Sequence, residues 1–173
     1  METKLNIRLA QIQDANSIRE LYRPYVEETL FTLDTFLPSV SEIEKQILDF
    51  QATHAFLVAE LNEKLVAFAY ARPFSLRQAY QYTVEVFLYT DRNHPNLAIK
   101  QQLYQELETS LSQKKIVALI STMTHHHQSG IQFYEKNGFT QRGILPNAGI
   151  KFNEWLDIIW LTKELNAPER LSK

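Results

Sequence analysis

A predicted strand that runs directly into a long helix lies in the middle of the chain and constrains its fold most. Residues Gln81 to Tyr89 are rich in β-branched and aromatic side chains, which favours a strand. Apolar residues then recur every four positions, which predicts an amphipathic helix, at Ile99, Leu103, Leu107 and Leu111. A strand followed by a helix in this way indicates an α/β arrangement. The free N–H groups at the helix N-terminus can bind a phosphate-bearing ligand.

The composition is that of an ordinary globular protein. Its 173 residues predict one domain over residues 1–173, large enough to bury about 70% of the unfolded surface. The lack of cysteine excludes disulfides, thiolate metal sites and cysteine nucleophiles, and a net charge of -2 gives no general attraction to nucleic acid. No apolar run approaches the roughly 20 residues of a membrane span, so we predict a cytoplasmic protein that does not bind membranes.

The N-terminal part of the chain predicts a strand and two helices. Leu5–Leu9 alternates as a strand does, and Asp14 can cap the helix that follows. Pro24 falls inside that helix and should either kink it or divide it into two pieces. Ser41 and Glu44 have the spacing of a capping box, which predicts the start of the second helix.

The other apolar segments complete a sheet. Further strands are predicted at Ala55–Leu61, Leu65–Ala71, Ile116–Ile120, Gln141–Leu145 and Trp155–Leu161. The first two are joined by a short polar turn and form an antiparallel hairpin. A short helix over Gly130–Asn137 ends at Gly138, which can take the left-handed conformation. The predicted class is α/β (α+β), with a mixed, mostly antiparallel sheet of about seven strands and helices on both faces.

Several stretches carry a resemblance to a known family. They are Ala67–Phe74, Arg77–Tyr80, Phe133–Phe139, Arg142–Leu145 and Ala148–Trp155, together with Glu85 and Tyr89. With the predicted order of elements, they make the chain resemble the GNAT superfamily of N-acetyltransferases. Within it, the chain is most similar to the phosphinothricin acetyltransferase family. The likeness runs from Ile7 to Leu165 without large gaps.

The resemblance implies a GNAT-like fold and an acyl-CoA-dependent enzyme. Such an enzyme transfers the acetyl group of acetyl-CoA to the amine of a small molecule, here an amino acid or an analogue, by direct attack in a ternary complex. Families of this kind commonly form homodimers. A catalytically inactive relative that binds CoA or another small ligand is the alternative, since the loop at residues 95–100 departs from the family pattern. A nucleic-acid-binding module fits the acidic balance poorly.

Two residues are assigned catalytic roles by the resemblance. Glu85 is the base that takes a proton from the attacking amine, directly or through water. We expect an apolar cleft walled by Tyr82, Phe87 and Tyr89 to raise the basicity of this carboxylate. Tyr134 stands where many GNAT enzymes place a tyrosine that protonates the departing CoA thiolate. A solvated glutamate and an aromatic core residue are the alternative interpretations of Glu85 and Tyr134.

The cofactor loop is altered. The superfamily pattern Gln/Arg-x-x-Gly-x-Gly/Ala brings backbone N–H groups close to the pyrophosphate, and the aligned residues here are Pro95–Lys100. Ala98 and Lys100 replace both glycines, and the Lys100 ammonium can contact the pyrophosphate instead. The implied cofactor site comprises Phe87, Leu88, Tyr89, Thr90, Pro95, Asn96, Leu97, Ala98, Ile99, Lys100, Gln101 and His127, the last in place of the family's asparagine.

The acceptor pocket is expected between the N-terminal helices, the loop at 72–80 and the C-terminal hairpin. Its predicted residues are Phe36, Arg72, Phe74, Arg77 and Tyr80. Arg72, Arg77 and Lys151 can each hold an anionic acceptor. Three consecutive histidines occur at 125–127, but only the first and third would share a face of an extended strand. We therefore predict no native metal site.

Overall fold

The computed structural model describes residues 4–168, which form a seven-stranded sheet and four α-helices. The strands are β1 (Leu5–Leu9), β2 (Ala55–Leu61), β3 (Lys64–Pro73), β4 (Thr83–Thr90), β5 (Ala118–Thr124), β6 (Thr140–Lys151) and β7 (Glu154–Glu164). The helices are α1 (Ala15–Glu28), α2 (Val40–Thr53), α3 (Leu97–Gln113) and α4 (Gln128–Lys136). None of these four helices is long and apolar enough to cross a membrane.

The sheet has the strand order β1-β2-β3-β4-β5-β7-β6. Within the described residues, β4 and β5 are the one parallel pair, and all the other neighbours are antiparallel. This confirms the predicted mixed, mostly antiparallel sheet. The β4–β5 pairing begins at Thr83 and Ala118 and ends with Glu85 opposite Ile120. Beyond that point the two strands separate, which opens a cleft at the middle of the sheet.

The two faces of the sheet hold separate apolar cores. One core lies under α3 and α4 and contains Val84, Val86 and Leu103, and the other lies under α1 and α2 and contains Phe68. Successive side chains of a strand point to opposite faces. Glu85 therefore points to the α1–α2 face, since both its neighbours point to the other one.

The N-terminal helix differs from its prediction at Asp14 and at Pro24. Asp14 does not cap α1 through its side chain; its carboxylate accepts two hydrogen bonds from the Arg8 guanidinium, at 2.7 and 2.9 Å. Pro24 lies inside α1, which continues as one element, so the predicted division into two pieces is wrong. Arg23 pairs with Glu20 and Glu27 on either side of the proline. Burial of the apolar face and these pairs offset the lost backbone hydrogen bond.

The second helix begins earlier than predicted. Its capping box is formed by Ser39 and Glu42, not by Ser41 and Glu44: the Ser39 hydroxyl accepts from the Glu42 N–H at 3.2 Å. Both pairs fit the same sequence pattern. The earlier start brings Val40 into the helical stripe that packs against the core, which favours it.

Strand β5 is displaced along the sequence. The strand was predicted from Ile116, but Lys115 has a φ of 60° and pairing with β4 starts only at Ala118. Ile116 is buried in the core all the same. The apolar run therefore marks burial correctly and the strand boundary incorrectly. Gly138 has the predicted left-handed conformation, with a φ of 90°.

Candidate active site

A cleft occupies the space where β4 and β5 separate. Its walls are Val86, Phe87, Leu88 and Tyr89 from β4, Ser121, Thr122 and Met123 from β5, Lys100 from α3, His127, Gly130 and Tyr134 around α4, and Phe31 from the α1–α2 loop. The cavity measures only about 30 Å³ because the Phe31 and His127 rings stack across it, with centroids 4.3 Å apart. Five predicted cofactor residues and Tyr134 therefore line one cleft.

Glu85 lies at the point where the two strands part, and both its carboxylate oxygens are engaged. Oε2 accepts hydrogen bonds from Arg72 Nε at 3.0 Å and Nη2 at 2.7 Å, and Oε1 accepts from the Thr122 hydroxyl at 2.6 Å. Register explains the contact, since Arg72 is directly opposite Glu85 on β3. The Glu85 side chain is 12% exposed and that of Arg72 is 46% exposed. A ligand can therefore reach Arg72 more readily than Glu85.

The surroundings of Glu85 differ from the predicted apolar wall. The Arg72 guanidinium lies 2.7 Å from the carboxylate and 4.7 Å from the centre of the Phe87 ring. Tyr82 precedes β4 and is largely exposed. The carboxylate is therefore ion-paired with Arg72 and is not isolated in an apolar pocket.

Tyr134, the predicted proton donor, lines the cleft. Its ring is buried within the core beneath α3 and α4, and Ser121 of β5 lines the same cleft. Burial raises the pKa of the Tyr134 phenol. The hydroxyl therefore remains protonated at neutral pH.

Lys100 points into the cleft, and its surroundings are apolar. Its Nζ lies 4.1 Å from the centre of the Phe133 ring, and no carboxylate of residues 4–168 is within salt-bridge distance. Burial lowers the pKa of this ammonium to about 8. The same burial, with the charge of Lys100, lowers the pKa of His127 to about 4, so that imidazole is neutral at pH 7. The cleft therefore holds one unpaired cation.

The His127 ring also explains the glycine in the first turn of α4. A Cβ on Gly130 would lie 2.5 Å from two atoms of this ring. Only a glycine lets the imidazole lie this close to the helix backbone. Gly130 and the Phe31 ring therefore hold the imidazole between them.

The other predicted cofactor residues lie outside this cleft. Thr90, Pro95, Asn96 and Ile99 line a separate cavity of about 210 Å³ with Leu61, Val66 and His94. Asn96 caps α3, since its Oδ1 accepts from the Ile99 N–H at 3.1 Å. That N–H is one of the groups a pyrophosphate would use. Leu97 and Ala98 are exposed, and the Gln101 amide is paired with Asn137.

The predicted acceptor residues are dispersed. Phe74 makes edge contacts with Tyr80 and Trp160, at 5.2 and 5.8 Å between ring centroids. Arg77 is exposed, and Phe36 is 87% exposed. Of the five, the structure brings Arg72 alone to Glu85.

Lys151 cannot hold an acceptor in this structure, contrary to the prediction. It is buried, and its Nζ donates to the backbone carbonyls of Thr32 at 3.1 Å and Tyr25 at 3.3 Å. The tip of the β6–β7 hairpin thus covers the C-terminal end of α1, where a cation is favoured by the helix dipole. The two hydrogen bonds of Lys151 hold the α1–α2 loop against the hairpin.

A second cavity adjoins Arg72 on the α1–α2 face. It measures about 100 Å³, and its lining includes Tyr22, Asp34, Tyr70, Arg72 and Tyr89. Asp34 accepts a hydrogen bond from the Tyr22 hydroxyl at 2.5 Å. Tyr89 lines both cavities, so the two are close to each other.

Comparison with known proteins identifies the family. The family described as acetyltransferase (GNAT) domain matches residues 7–160. The chain belongs to the GNAT acetyltransferases. It is 28% identical to phosphinothricin N-acetyltransferase of Streptomyces viridochromogenes, over 96% of this chain and 92% of the relative. It is 22% identical to the L-amino acid N-acyltransferase MnaT of Escherichia coli K12, over 94% and 95%.

A solved structure shows the same architecture with the cofactor present. The phosphinothricin acetyltransferase of Sinorhizobium meliloti, solved in complex with acetyl-CoA, has a TM-score of 0.86 and 26% identity, covering 95% of this chain and 89% of that one. The chain is thus an acetyl-CoA-dependent N-acetyltransferase of small-molecule amines. The GNAT fold and the acetyl-CoA donor, both predicted from the sequence, are confirmed.

Sequence reasoning missed several residues that this acetyltransferase places at the site. Thr122 donates a hydrogen bond to Glu85, the predicted base, Phe31 lines the β4–β5 cleft, and Asp34 lines the second cavity with Arg72. Thr122 follows the apolar run that marks β5, and its contact with Glu85 depends on a parallel register that no local signal fixes. Phe31 and Asp34 lie in a loop, where periodicity gives no direction for a side chain.

Proposed function

We propose that this acetyltransferase is a single-domain enzyme that acetylates the amine of an amino acid or an analogue of one. The observation that carries the proposal is the Arg72–Glu85 ion pair: Arg72 lines the second cavity, and Thr122, which donates to Glu85, lines the cleft. Arg72 and Asp34 give this cavity one charge of each sign, which suits a zwitterionic acceptor. The two relatives, a phosphinothricin N-acetyltransferase and an L-amino acid N-acyltransferase, support the same acceptor class.

Binding of the acceptor carboxylate to Arg72 frees Glu85 to act as the base. In the free enzyme Glu85 Oε2 accepts two hydrogen bonds from Arg72 and has no lone pair left for the amine, while Oε1 is held by Thr122. An acceptor carboxylate that binds Arg72 competes for the same guanidinium and releases Glu85 Oε2. The amine attached to that carboxylate is then close to the released oxygen. Binding of an anionic acceptor and activation of the base are therefore one event.

Chemistry then follows by direct attack. The amine nitrogen attacks the thioester carbonyl, Glu85 takes the proton that the nitrogen loses, and the C–S bond breaks. The Tyr134 hydroxyl gives its proton to the departing thiolate, and solvent restores both residues. Thr122 retains its hydrogen bond to Oε1 throughout, which keeps the carboxylate oriented.

The acceptor class is tested with matched amines. We expect kcat/KM for an L-amino acid to exceed that for its carboxamide by roughly 10-fold or more, because a charge-assisted bidentate pair is worth about 1.5–3 kcal/mol. Release of CoA thiol measures both. Equal values for acid and amide would contradict the role of Arg72, although acetyl transfer itself would be retained.

Lys100 provides a pH-dependent contribution to cofactor binding. We propose that its ammonium pairs with the pyrophosphate, since it is the unpaired cation of the cleft. The pKa of about 8 makes it charged below pH 8 and neutral above. Acetyl-CoA affinity of the wild type should therefore fall as the pH rises from 7 to 9. Lys100→Met should weaken binding at pH 7 by about 1.5–3 kcal/mol and remove the pH dependence.

Calorimetric titration of acetyl-CoA at both pH values measures this effect. The control is Lys136→Met, which removes an exposed lysine of α4. Equal affinities for Lys100→Met and the control would show that the α3 N-terminus alone holds the pyrophosphate. The double variant Ala98→Gly with Lys100→Gly, which restores the family glycines, should then bind more tightly than Lys100→Met.

We also propose that two copies of the chain pair through β6. This strand is 12 residues long, forms an edge of the sheet and is exposed along most of its length, with apolar Ile144, Leu145 and Ile150 among its exposed residues. A long, exposed, apolar edge strand favours pairing with another chain.

The predicted cytoplasmic location is also part of the proposed function, because the acetyl donor, acetyl-CoA, is a metabolite of the cell interior.

Light scattering after gel filtration tests the dimer. The wild type should have twice the mass of the chain, and Ile144→Asp should convert it to a monomer. Leu48→Asp, at an exposed apolar position of α2, is the matched control and should remain a dimer. A monomeric wild type at all concentrations would contradict the proposed pairing.

A further inference from the structure

A group of three metal-ligating side chains lies outside the cleft, in the turn between β5 and α4. Strand β5 ends at Thr124, so His125 and His126 are not on opposite faces of a strand as the sequence pattern predicts. Their rings approach to 4.0 Å between centroids. Glu154, the first residue of β7, completes the group, and one ligand atom from each of the three lies within 4.8 Å of the others.

His126 supplies a nitrogen without a hydrogen bond. Its Nε2 is buried and has no hydrogen-bond partner among the described residues, although it lies 2.7 Å from Glu154 Oε1. The distance between the two atoms is short enough for a hydrogen bond, but the angle at which the two groups meet does not allow one. A buried polar atom in this state carries a desolvation cost. A cation held between the two atoms would satisfy both.

The backbone of β7 orients His125. Its Nδ1 lies 3.2 Å from the N–H and 3.4 Å from the carbonyl oxygen of Asp157. A metal-bound histidine usually donates its second ring N–H to a group of this kind, which fixes the ring and its tautomer. In one tautomer Nδ1 accepts from the Asp157 N–H, and in the other it donates to the Asp157 carbonyl oxygen, which leaves Nε2 free as a ligand.

We propose that this chain binds one zinc ion through His125, His126 and Glu154. Two imidazoles and a carboxylate, with no thiolate, are a ligand set that zinc accepts, and three protein ligands leave one position for water. The hard cations magnesium and calcium prefer sites made of oxygen alone. The site adjoins His127, which closes the cofactor cleft, so a bound ion would fix the turn from which α4 begins.

Sequence reasoning did not find this site because Glu154 is 28 residues from His126. Glu154 reaches the histidines through the fold. The chain reverses before β7, and the β5–β7 register then pairs Ile158 with Thr124, next to His125. This arrangement replaces the expectation that the three histidines hold no native metal.

Zinc titration followed by calorimetry tests the proposal on the intact chain. The wild type should bind one zinc ion per chain, and His126→Gln and Glu154→Gln should each weaken binding by at least about 10-fold. His94→Gln, which removes an exposed histidine beside Asp91, is the matched control and should bind as the wild type does. Magnesium should give no saturable binding.

Cobalt provides a second readout that does not depend on activity. Cobalt bound in place of zinc should give the visible absorption of a four-coordinate ion, and this spectrum should be lost in Glu154→Gln. Circular dichroism checks that each variant is folded. No saturable zinc binding by the wild type would overturn the proposal. Binding reduced as much by His94→Gln as by His126→Gln would also overturn it, since the ion would then be held elsewhere.

Discussion

Glu85→Gln should lower kcat by about 100-fold or more and leave acetyl-CoA affinity nearly unchanged. Loss of a general base costs 10² to 10⁴ in rate, and an amide cannot take a proton from the attacking amine. Glutamine retains the shape of the side chain and can still accept from the Thr122 hydroxyl, so the fold should be intact. Steady-state release of CoA thiol and calorimetric binding of acetyl-CoA measure the two quantities.

The matched control for this variant is Glu106→Gln on α3. Glu106 is an exposed glutamate far along the helix from the cleft, and it should retain wild-type kcat. A Glu85→Gln enzyme that turns over at the wild-type rate across the pH range would remove Glu85 from the mechanism. In that case water activated elsewhere in the cleft, or the unassisted amine, would carry the reaction.

Arg72→Gln should lower activity toward amino acids but not toward their carboxamides. For an amino acid, loss of the guanidinium removes the partner of the carboxylate, and KM should rise roughly 10- to 100-fold. For the corresponding carboxamide, kcat/KM should stay equal or rise, because Glu85 Oε2 is no longer occupied by Arg72. A merely structural role for Arg72 would lower both activities together.

Arg142→Gln is the control for Arg72. Arg142 is an exposed arginine of β6 whose Nε donates to Thr162, so its loss removes a similar surface contact without touching the site. It should leave the ratio of acid to amide activity unchanged. Equal losses for both acceptors in Arg72→Gln, with the melting temperature lowered, would contradict the competition between the acceptor and Glu85 for this guanidinium.

Periodicity and end signals predicted most of the fold. The four-residue repeat of α3, the hairpin of β2 and β3, and the glycine after α4 each depend on residues close together in the sequence. Competition between equivalent signals caused the errors. Ser39 and Ser41 both fit a capping box, and burial of Val40 decided between them. The helix through Pro24 is a case in which tertiary packing outweighs a local cost.

The site was predicted only in part, since its residues meet through register. Glu85, Tyr134, Lys100 and His127 were predicted because each has a place in a family pattern, and their roles remain predictions. The ion pair of Glu85 with Arg72 depends on which residues of β3 and β4 are opposite, and this depends on loop lengths and packing. For the same reason the sequence did not show that Lys100 turns inward over an aromatic ring.

Acceptor-dependent release of CoA from acetyl-CoA tests the central claim most directly. The wild type should release CoA thiol in proportion to an added L-amino acid, with the N-acetylated amine as the product found by mass spectrometry and little release without an acceptor. A parallel melting curve should show stabilisation by acetyl-CoA, of about 2.7 kcal/mol at 100 times its dissociation constant. Stabilisation without release for any amine would indicate an inactive relative that binds CoA. The absence of both would contradict the assignment of the β4–β5 cleft as an acetyl-CoA site.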